Sequence, residues 1–426
     1  MKSLFVAIVI VLFFSTFLQA DTWTDPDFET MVRDSELIAV MEVTEGGTFS
    51  CKAKPIRILK GKTSAKVLTI SGFNDRYLAK ENQQEGGFEK GDQVLFFVRH
   101  SFEREGQKIW QIWTPTTGDY PIVENQIHGS WYFPSNPKYK TGVELSLVEP
   151  LIKGLVLHQA GKKPKEAIDL IEKELNSVKL KLVTEVDKGD SHKTAYRMHW
   201  LLCAQAVYGT ARSGHAVLEA AQRPHPYVQI CAARALRSNA KNAEVLERLG
   251  KLLLSKNSFV QAEATRTLLI HDFEKTESVP LLLKSLPLSS NYSRRPSELM
   301  DPLQNTTASG RETMIRALTQ LKIKEGVEPI LLTFLKPEGL STSIFLAIAD
   351  YFSEHPSAEA RKKILALYKE APSHSLEAFH YYLRRDSHPL VLEAIRAKLK
   401  QKALNEYVKT ELLEILKELD SGNDGS

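Results

Sequence analysis

The sequence predicts a multidomain α+β protein, in which a small N-terminal β barrel is followed by an all-α helical-repeat solenoid. Short apolar or alternating runs, separated by glycines, fill residues 23–147. From about residue 162 the apolar periodicity becomes helical, and a ten-residue segment within that part recurs at an offset of 32. The composition, 42% hydrophobic and 25% charged over 426 residues, is that of a folded protein and excludes collagen-like, disordered and multi-span membrane classes.

Residues 1–20 have the pattern of a secretory signal peptide. Lys2 precedes an apolar run over residues 4–14, and a short segment over residues 15–20 ends in the small residue Ala20, just before Asp21. The apolar run, about a dozen residues, is shorter than the roughly 20 that a membrane-spanning helix needs. We therefore expect an exported protein, periplasmic or secreted, with no stable membrane span after signal cleavage.

Residues 21–150 are predicted to form the β domain. Strand-like runs occupy residues 40–43, 65–70 and 93–98, and glycine-containing turns separate them. Apolar residues at helical spacing predict a short helix over residues 27–32, before the first strand.

Three segments of this region carry a family resemblance. Residues 34–40 (DSELIAV), 56–61 (IRILKG) and 90–97 (KGDQVLFF) resemble the netrin/TIMP-like variant of the OB barrel found in exported bacterial proteins. Inhibitors of that superfamily chelate zinc through an N-terminal cysteine, whereas this domain holds only Cys51, so the inhibitor chemistry is not carried over. OB barrels also bind single strands or sugars through stacked aromatic rings. We expect the candidate aromatic side chains to be core or edge residues instead: Trp110, Trp113, Trp131 and Tyr132.

Pro150, Gly154, Gly161 and Pro164 predict a separable boundary near residues 148–165. Residues 163–420 are predicted to form the solenoid. Residues 227–236 (YVQICAARAL) align with residues 259–268 (FVQAEATRTL), and each segment is followed by a second amphipathic helix, near 245–254 and 279–286. A pair of helices every thirty-odd residues indicates stacked repeats, and these resemble HEAT repeats. A polar insertion at 287–310 interrupts the array, residues 406–419 read as a capping helix, and residues 421–426 are expected to be a disordered tail.

The sequence offers no motif that names a reaction. It lacks a Gly-x-Ser-x-Gly elbow, a His-Glu-x-x-His pair, a Cys-x-x-Cys pair and a phosphate-binding glycine loop. His192 and His199 are about two helical turns apart, roughly 10 Å, which is too far to share one metal ion. His374, His380 and His388 are likewise expected to be spread over two helices. Cys203 and Cys231 are predicted at equivalent positions of successive helices, about 8–10 Å apart, and therefore reduced. No catalytic residue, cofactor or metal is predicted.

Candidate partner-binding residues fall in two places. In HEAT-like stacks the second helix of each pair lines the concave side, so its polar residues are candidates. A second candidate is a helix that concentrates aromatic and guanidinium groups, which often anchor partners, although its residues also lie at core spacing. The candidates are Glu244, Glu247, Arg248, Lys251, Glu277 and Lys284 in the first place, and Tyr381, Arg384 and Arg385 in the second. The repeat arginines Arg234, Arg266 and Arg316 are assigned to ion pairs between neighbouring repeats.

The expected function is non-catalytic binding. The chain would be a scaffold of the cell envelope or extracellular space that binds a protein, a peptide or a glycan. Its net charge of only +4 gives no reason to expect nucleic acid as a partner. Two alternatives remain at this stage: a hydrolase of envelope polymer with a site at the domain junction, and a purely structural spacer. The enzyme would need titratable groups converging in one pocket, binding would need only an exposed patch, and the spacer would need neither.

Overall fold

The computed structural model describes twelve segments of the chain: residues 28–47, 50–72, 88–113, 118–128, 142–177, 189–209, 214–223, 225–289, 309–336, 340–371, 376–401 and 404–422. The expected signal peptide, most of the expected insertion, and both Trp131 and Tyr132 lie outside these residues. The chain divides into two compact units, and the boundary falls between Lys165 and Glu166. The first contains a mixed β sheet and the second is mostly helical.

The first unit contains eight strands and two helices among the described residues. The strands are β1 (Leu37–Glu45), β2 (Ser50–Lys60), β3 (Leu68–Ser71), β4 (Gln93–Arg104), β5 (Gln107–Ile112), β6 (Asp119–Val123), β7 (Gln126–Ile127) and β8 (Val143–Glu144); the helices are α1 (Phe28–Asp34) and α2 (Leu145–Gln159). Strand β1 pairs with both β2 and β4, and β3 pairs with β5. The β3–β5 pair is parallel, and all the other pairs are antiparallel.

The core of the first unit follows from the alternation of side chains along its strands. Leu37, Ala39, Met41 and Val43 occupy one face of β1 and are fully buried. They join alternate residues of β2, β3, β4 and β5 in one apolar cluster, which includes Trp110. The core interpretation is therefore confirmed for Trp110.

The domain boundary lies further along the chain than the sequence indicated. We expected the β domain to end at residue 150, but α2 continues to Gln159 and belongs to the first unit. This helix packs against α1 and β2, and its buried Glu149 accepts a hydrogen bond from Arg57. Pro150 and Gly154 lie inside the helix rather than marking a linker.

The second unit is built from α3 (Lys165–Ser177), α4 (Gly189–Tyr208), α5 (Gly214–Ala220), α6 (Pro226–Ala235), α7 (Ala243–Leu253), α8 (Ser258–Ile270), α9 (Lys275–Ser285), α10 (Gly310–Gln320), α11 (Val327–Phe334), α12 (Thr342–Glu354), α13 (Ala358–Glu370), α14 (Glu377–Leu383), α15 (Pro389–Leu399) and α16 (Glu406–Gly422). Short 3₁₀ turns follow α6 and α9. No helix among the described residues is long and apolar enough to cross a membrane.

Asparagine and serine side chains set the start of several of these helices. Asn242, Asn257, Ser309, Ser341 and Ser357 each accept a hydrogen bond from a backbone N–H in the first turn of the helix that follows. Such a cap satisfies one of the donors that a helix N-terminus leaves without an intrahelical partner. The helix starts are therefore encoded locally.

The helices of the second unit pack in an alternating order. Helices α4, α6, α8, α10, α12, α14 and α16 contact one another in sequence, while α7 packs on α9 and α13 packs on both α11 and α15. Helices α6 and α8 are joined by a hydrogen bond from the Thr267 side chain to the backbone oxygen of Ala233, at 2.8 Å. Helix α8 is buried almost all round because it has neighbours on several sides.

The C-terminal helix extends beyond its expected end. We expected a disordered tail from residue 421, but α16 includes Ser421 and Gly422. The expectation is wrong for these two residues, because the helical backbone continues past the last apolar position of the pattern, Leu419. Residues 423–426 lie outside the described residues.

Candidate functional site

A histidine and two cysteines meet between α4 and α6. His199 and Cys203 are four residues apart on α4, which places both side chains on one face of the helix. Cys231 lies on α6, which packs directly against α4. The Nδ1 atom of His199 lies 3.0 Å from the Sγ atom of Cys231 and 3.7 Å from the Sγ atom of Cys203. One nitrogen and two sulfur atoms therefore lie within 4.8 Å of one another.

This cluster is shielded from solvent. The exposed fractions of His199, Cys203 and Cys231 are 0%, 3% and 2%. The ring of Tyr196 stacks parallel to the imidazole of His199 at 6.1 Å between centroids, and the Trp200 ring meets the same imidazole edge-on at 6.2 Å. Reagents in water therefore reach the two sulfur atoms only when the surrounding helices open.

The electrostatic environment favours the charged form of one thiol. A hydrogen bond with Cys231 lowers the pKa of the Cys203 thiol well below its usual value, although burial opposes this change. The neighbouring His199 and Arg234 lower the pKa further. Thiolate is the form of cysteine that acts as a nucleophile or a metal ligand. None of the three cysteines forms a disulfide bond in the structure.

The sequence interpretation missed this cluster. It compared His199 with His192 and found them too far apart to share a metal ion. It also placed Cys203 opposite Cys231, which corresponds to an offset of 28. The observed contact has an offset of 32 and puts His199 opposite Cys231, while Cys203 lies one helical turn further along α4. The sequence did contain a signal for this cluster. The repeat offset of 32 places Cys231 opposite His199, and the four-residue spacing places Cys203 on the same face of the helix as His199.

The other histidines of the sequence analysis take separate positions. His380 is buried and lies beside Glu411, with 2.5 Å between Nδ1 and Oε2. His388 caps α15, and its Nδ1 atom accepts a hydrogen bond from the backbone N–H of Leu390. His374 and the side chain of His192 lie outside the described part of the chain.

A buried carboxylate with three arginines lies in the next helix of the same row. Glu263 on α8 is fully buried and pairs with Arg234 of α6, with Arg237 in the 3₁₀ turn after α6, and with Arg266 of its own helix. Burial alone would raise the pKa of the Glu263 carboxyl. The charges of Arg234 and Arg237 and the hydrogen bond from Arg234 outweigh burial, and with Arg266 they lower this pKa to about 2.

The repeat arginines divide into two kinds. Arg234 bridges α6 to α8 through Glu263, and Arg316 bridges α10 to α12 through Asp350 at 3.0 Å, as the sequence predicts. Arg266 differs, because the carboxylate it binds is in its own helix.

Most of the predicted polar surface on α7 and α9 is exposed. Five of the six candidate side chains face solvent, namely Glu244, Glu247, Lys251, Glu277 and Lys284, and Arg248 is half-buried. Glu247 and Lys251 form an ion pair at 2.5 Å along α7. The opposite side of α7 carries the buried residues Val245, Leu249 and Leu252. Leu246, which the pattern places among them, is half-buried.

The aromatic and guanidinium groups on α14 are largely engaged within the protein. Tyr381 donates a hydrogen bond to Asp350, and Arg385 binds the same carboxylate at 2.8 Å while lying 3.7 Å from the centre of the Tyr381 ring. Arg384 binds Glu418 on α16. The burial of Phe379, Tyr382 and Leu383 agrees with the alternative interpretation, in which these residues lie at core spacing. The arginines, which that interpretation left flanking a turn, bind carboxylates of neighbouring helices.

Comparison with known proteins gives no further guide to the site. No family model, curated protein or solved structure matches the chain. Function is therefore inferred from the chain's own residues, and two features are available for it: the buried cluster of His199, Cys203 and Cys231, and the exposed charges on α7 and α9.

Proposed function

We propose that the protein is a non-catalytic binding or scaffold protein of the cell envelope or extracellular space, and that it binds a protein or peptide partner through the charged surface of α7 and α9. The observation that carries this proposal is that two helices in direct contact present charged side chains to solvent. Three of these are acidic and three are basic: Glu244, Glu247, Glu277, Arg248, Lys251 and Lys284.

Close packing makes these two helices one continuous surface. A Cβ atom added at Gly250 of α7 would lie 3.1 Å from a methyl carbon of Leu281 on α9, which is tighter than ordinary contact. The absence of a side chain at Gly250 therefore lets the two helices approach. A surface of mixed charge selects a partner of complementary charge pattern and adds more to specificity and association rate than to affinity.

Within this proposal the helical unit is a HEAT-like solenoid. The alternating helix contacts support it, since in a solenoid each repeat contacts its neighbours and corresponding helices form rows. Such an arrangement leaves an extended surface for partners, and we assign α7 and α9 to that surface.

The first unit is proposed to be an OB-type barrel. The pairing of β1 with β2, β2 with β3, β3 with β5, β5 with β4 and β4 with β1 runs through five strands and returns to its start, which supports this assignment. Export to the envelope remains a proposal that rests on the pattern of residues 1–20.

The surface of α7 and α9 is a better candidate than the residues on α14. Asp350 already holds Tyr381 and Arg385, and Glu418 holds Arg384, so a partner would have to break these contacts before it could bind. On α7 and α9, the exposed charged groups could meet a partner without such a cost, apart from the surface pair Glu247–Lys251.

A charge-reversed variant tests the proposal. Glu247→Lys, Lys251→Glu and Lys284→Glu, combined in the full chain, should abolish the capture of proteins that the wild type retains from an envelope extract. Exposed substitutions usually change the free energy of unfolding by less than about 0.5 kcal/mol, so the variant should keep its helical circular dichroism. Captured proteins would be identified and quantified by mass spectrometry.

The matched control carries the same charge changes on α16. Lys409→Glu, Glu414→Lys and Lys417→Glu also replace one acid and two bases, and these side chains are exposed or half-buried. This variant should capture the same proteins as the wild type. Equal capture by all three proteins would contradict the assignment of the surface. If none of them captures anything, the chain has no such partner and the spacer function is favoured.

A further inference from the structure

The cluster of His199, Cys203 and Cys231 combines three metal-ligating side chains in the interior of the helical unit. Two helices fix its position: α4 supplies two of the side chains one helical turn apart, and α6 supplies the third. None of these residues contributes to the charged surface of α7 and α9.

We propose that His199, Cys203 and Cys231 bind one thiophilic closed-shell metal ion, Cu⁺ or Zn²⁺. This inference is independent of the surface-binding function. The Nδ1 atom of His199 would be the nitrogen ligand, because it lies 3.0 Å from the Sγ atom of Cys231. The thiolate sulfurs of Cys203 and Cys231 would be the other two ligands.

The spacing of the donor atoms fits a bound ion. Zn–S bonds of about 2.3 Å and Zn–N bonds of about 2.0–2.1 Å, meeting at a tetrahedral angle, place the sulfur and nitrogen ligands about 3.5 Å apart. The two distances from Nδ1 of His199 to the sulfur atoms are 3.0 Å and 3.7 Å, which bracket this value. The Sγ atom of Cys203 is nearly equidistant from Nδ1 and Nε2 of His199, at 3.7 Å and 3.8 Å, so it lies beside the ring and not along the lone pair of Nδ1. Binding of one ion by all three donors would therefore require a rotation of the imidazole or of the Cys203 side chain.

The donor set selects the class of ion. Thiolates are soft ligands that favour Cu⁺ and Zn²⁺, whereas Mg²⁺, Ca²⁺ and Mn²⁺ favour carboxylate, carbonyl and water oxygens. Cu⁺ is satisfied by three donors, while Zn²⁺ needs a fourth ligand such as water. The same three donors suit both ions, and the metal analysis below distinguishes between them.

The surroundings support a closed site. The three side chains are 0–3% exposed, and the Tyr196 and Trp200 rings lie beside His199. Burial and the neighbouring aromatic rings limit the access of bulk water to the ligands. Because a buried site opens only with the helices around it, we expect fast loading when the chain folds in the presence of the ion and slow loading of the folded protein.

The test measures the metal content of the full chain. The protein would be produced with added zinc or copper, purified with a reductant and without chelator, and analysed by mass spectrometry for metals. We expect about one ion per chain for the wild type and less than about one tenth of an ion for Cys203→Ser and Cys231→Ser, since the loss of one ligand should lower the affinity at least about 100-fold.

The third cysteine provides the matched control. Cys51 is also buried, 3% exposed, but it lies on β2 in the other unit. Cys51→Ser should therefore keep the full metal content. If a ligand variant loses its helical circular dichroism, the wild type still decides the question: one equivalent of Zn²⁺ or Cu⁺ should raise its thermal midpoint and protect two thiols from alkylation.

Three results would overturn the proposal. The first is a wild-type protein that binds neither ion, and the second is a metal content that survives in both cysteine variants. The third is a thiol count on denatured, unreduced protein that finds one free cysteine instead of three, because a disulfide between Cys203 and Cys231 would leave no thiolates for the ion.

Discussion

Glu263 is a buried residue whose negative charge the fold stabilises. It is fully buried on α8 between Arg234, Arg237 and Arg266, and its pKa is about 2 in the folded protein, against about 4.5 for an unperturbed glutamate. A folded-state pKa below the unfolded one means that the unfolded chain binds protons first as the pH falls. The carboxylate therefore contributes stability above pH 4.5, and this contribution is lost as the pH falls towards 2.

This residue gives a pH-dependent prediction. A difference of about 2.5 pKa units corresponds to about 3 kcal/mol of unfolding free energy. Glu263→Gln should therefore destabilise the helical unit at neutral pH, and its difference from the wild type should shrink by about 3 kcal/mol between pH 5 and pH 2. Urea unfolding followed by helical circular dichroism measures both proteins.

A non-titrating substitution serves as the control for this measurement. Leu249→Ala removes only apolar contacts, so its cost should stay constant over the same pH range. The prediction would be contradicted if the difference in unfolding free energy between Glu263→Gln and the wild type were also constant over this pH range. Glu263 would then not be held ionised by its arginines.

The contacts of single buried polar residues were the feature that the sequence predicted least well. The offset of 32 indicates which helices correspond to one another, but it does not indicate which polar side chains on their buried faces are in contact. His199, Cys231 and Glu263 follow one another at this offset, and their contacts became visible only with the helix packing. The ion pairs of Arg234 and Arg316 were predictable, because a long side chain can reach a carboxylate in many different helix packings. The contact between the short side chains of His199, Cys203 and Cys231 was not predictable, because it forms only when the two helices pack in one particular register.

At the scale of the element, the amphipathic pattern of α7 predicts which side chains hold it in place. Leu249 is fully buried, whereas Leu246 is half-buried on the same helix. Leu249→Ala should lower the free energy of unfolding by about 2–5 kcal/mol, because it removes buried apolar contacts and leaves a cavity. Leu246→Ala should cost clearly less. Urea unfolding of the two variants measures the difference, and equal costs would contradict the orientation of α7.

The helices were predicted better than the strands, for local physical reasons. The pattern placed α7 near 245–254 and α9 near 279–286, and they occupy Ala243–Leu253 and Lys275–Ser285. Apolar periodicity marks such helices over several turns, and a cap such as Asn242 marks the start. The strand predicted at 93–98 continues to Arg104, however, and β5 follows after two residues. Glu105 and Gly106 both have positive φ, a tight hairpin turn that the sequence analysis did not recognise.

At the scale of the whole molecule, the two-part organisation was predictable but the boundary was not. The change from alternating to helical periodicity separates the sheet from the helices. Pro150 and Gly154 suggested a linker because each disfavours a helix interior. The apolar residues between and after them outweigh this preference, since Leu151, Ile152 and Leu155 are fully buried and α2 packs on α1 and β2. The position of the boundary therefore depends on tertiary packing, which the local pattern of a single sequence does not indicate.

This boundary leads to the last prediction, which concerns two fragments of the first unit. A fragment of residues 21–165 contains all of α2, whereas a fragment of residues 21–150 ends at Pro150 and removes Leu151, Ile152 and Leu155 from the contacts with α1 and β2. Fully burying one leucine or isoleucine contributes about 1.5–3 kcal/mol, so the loss of three is comparable to the total stability of a domain. The longer fragment should be soluble and unfold cooperatively, as measured by urea titration with tryptophan fluorescence, and the shorter one should aggregate or show no transition. Equal, cooperative unfolding of both would place α2 outside the fold of the first unit, and the boundary at residue 150 would then be the correct one.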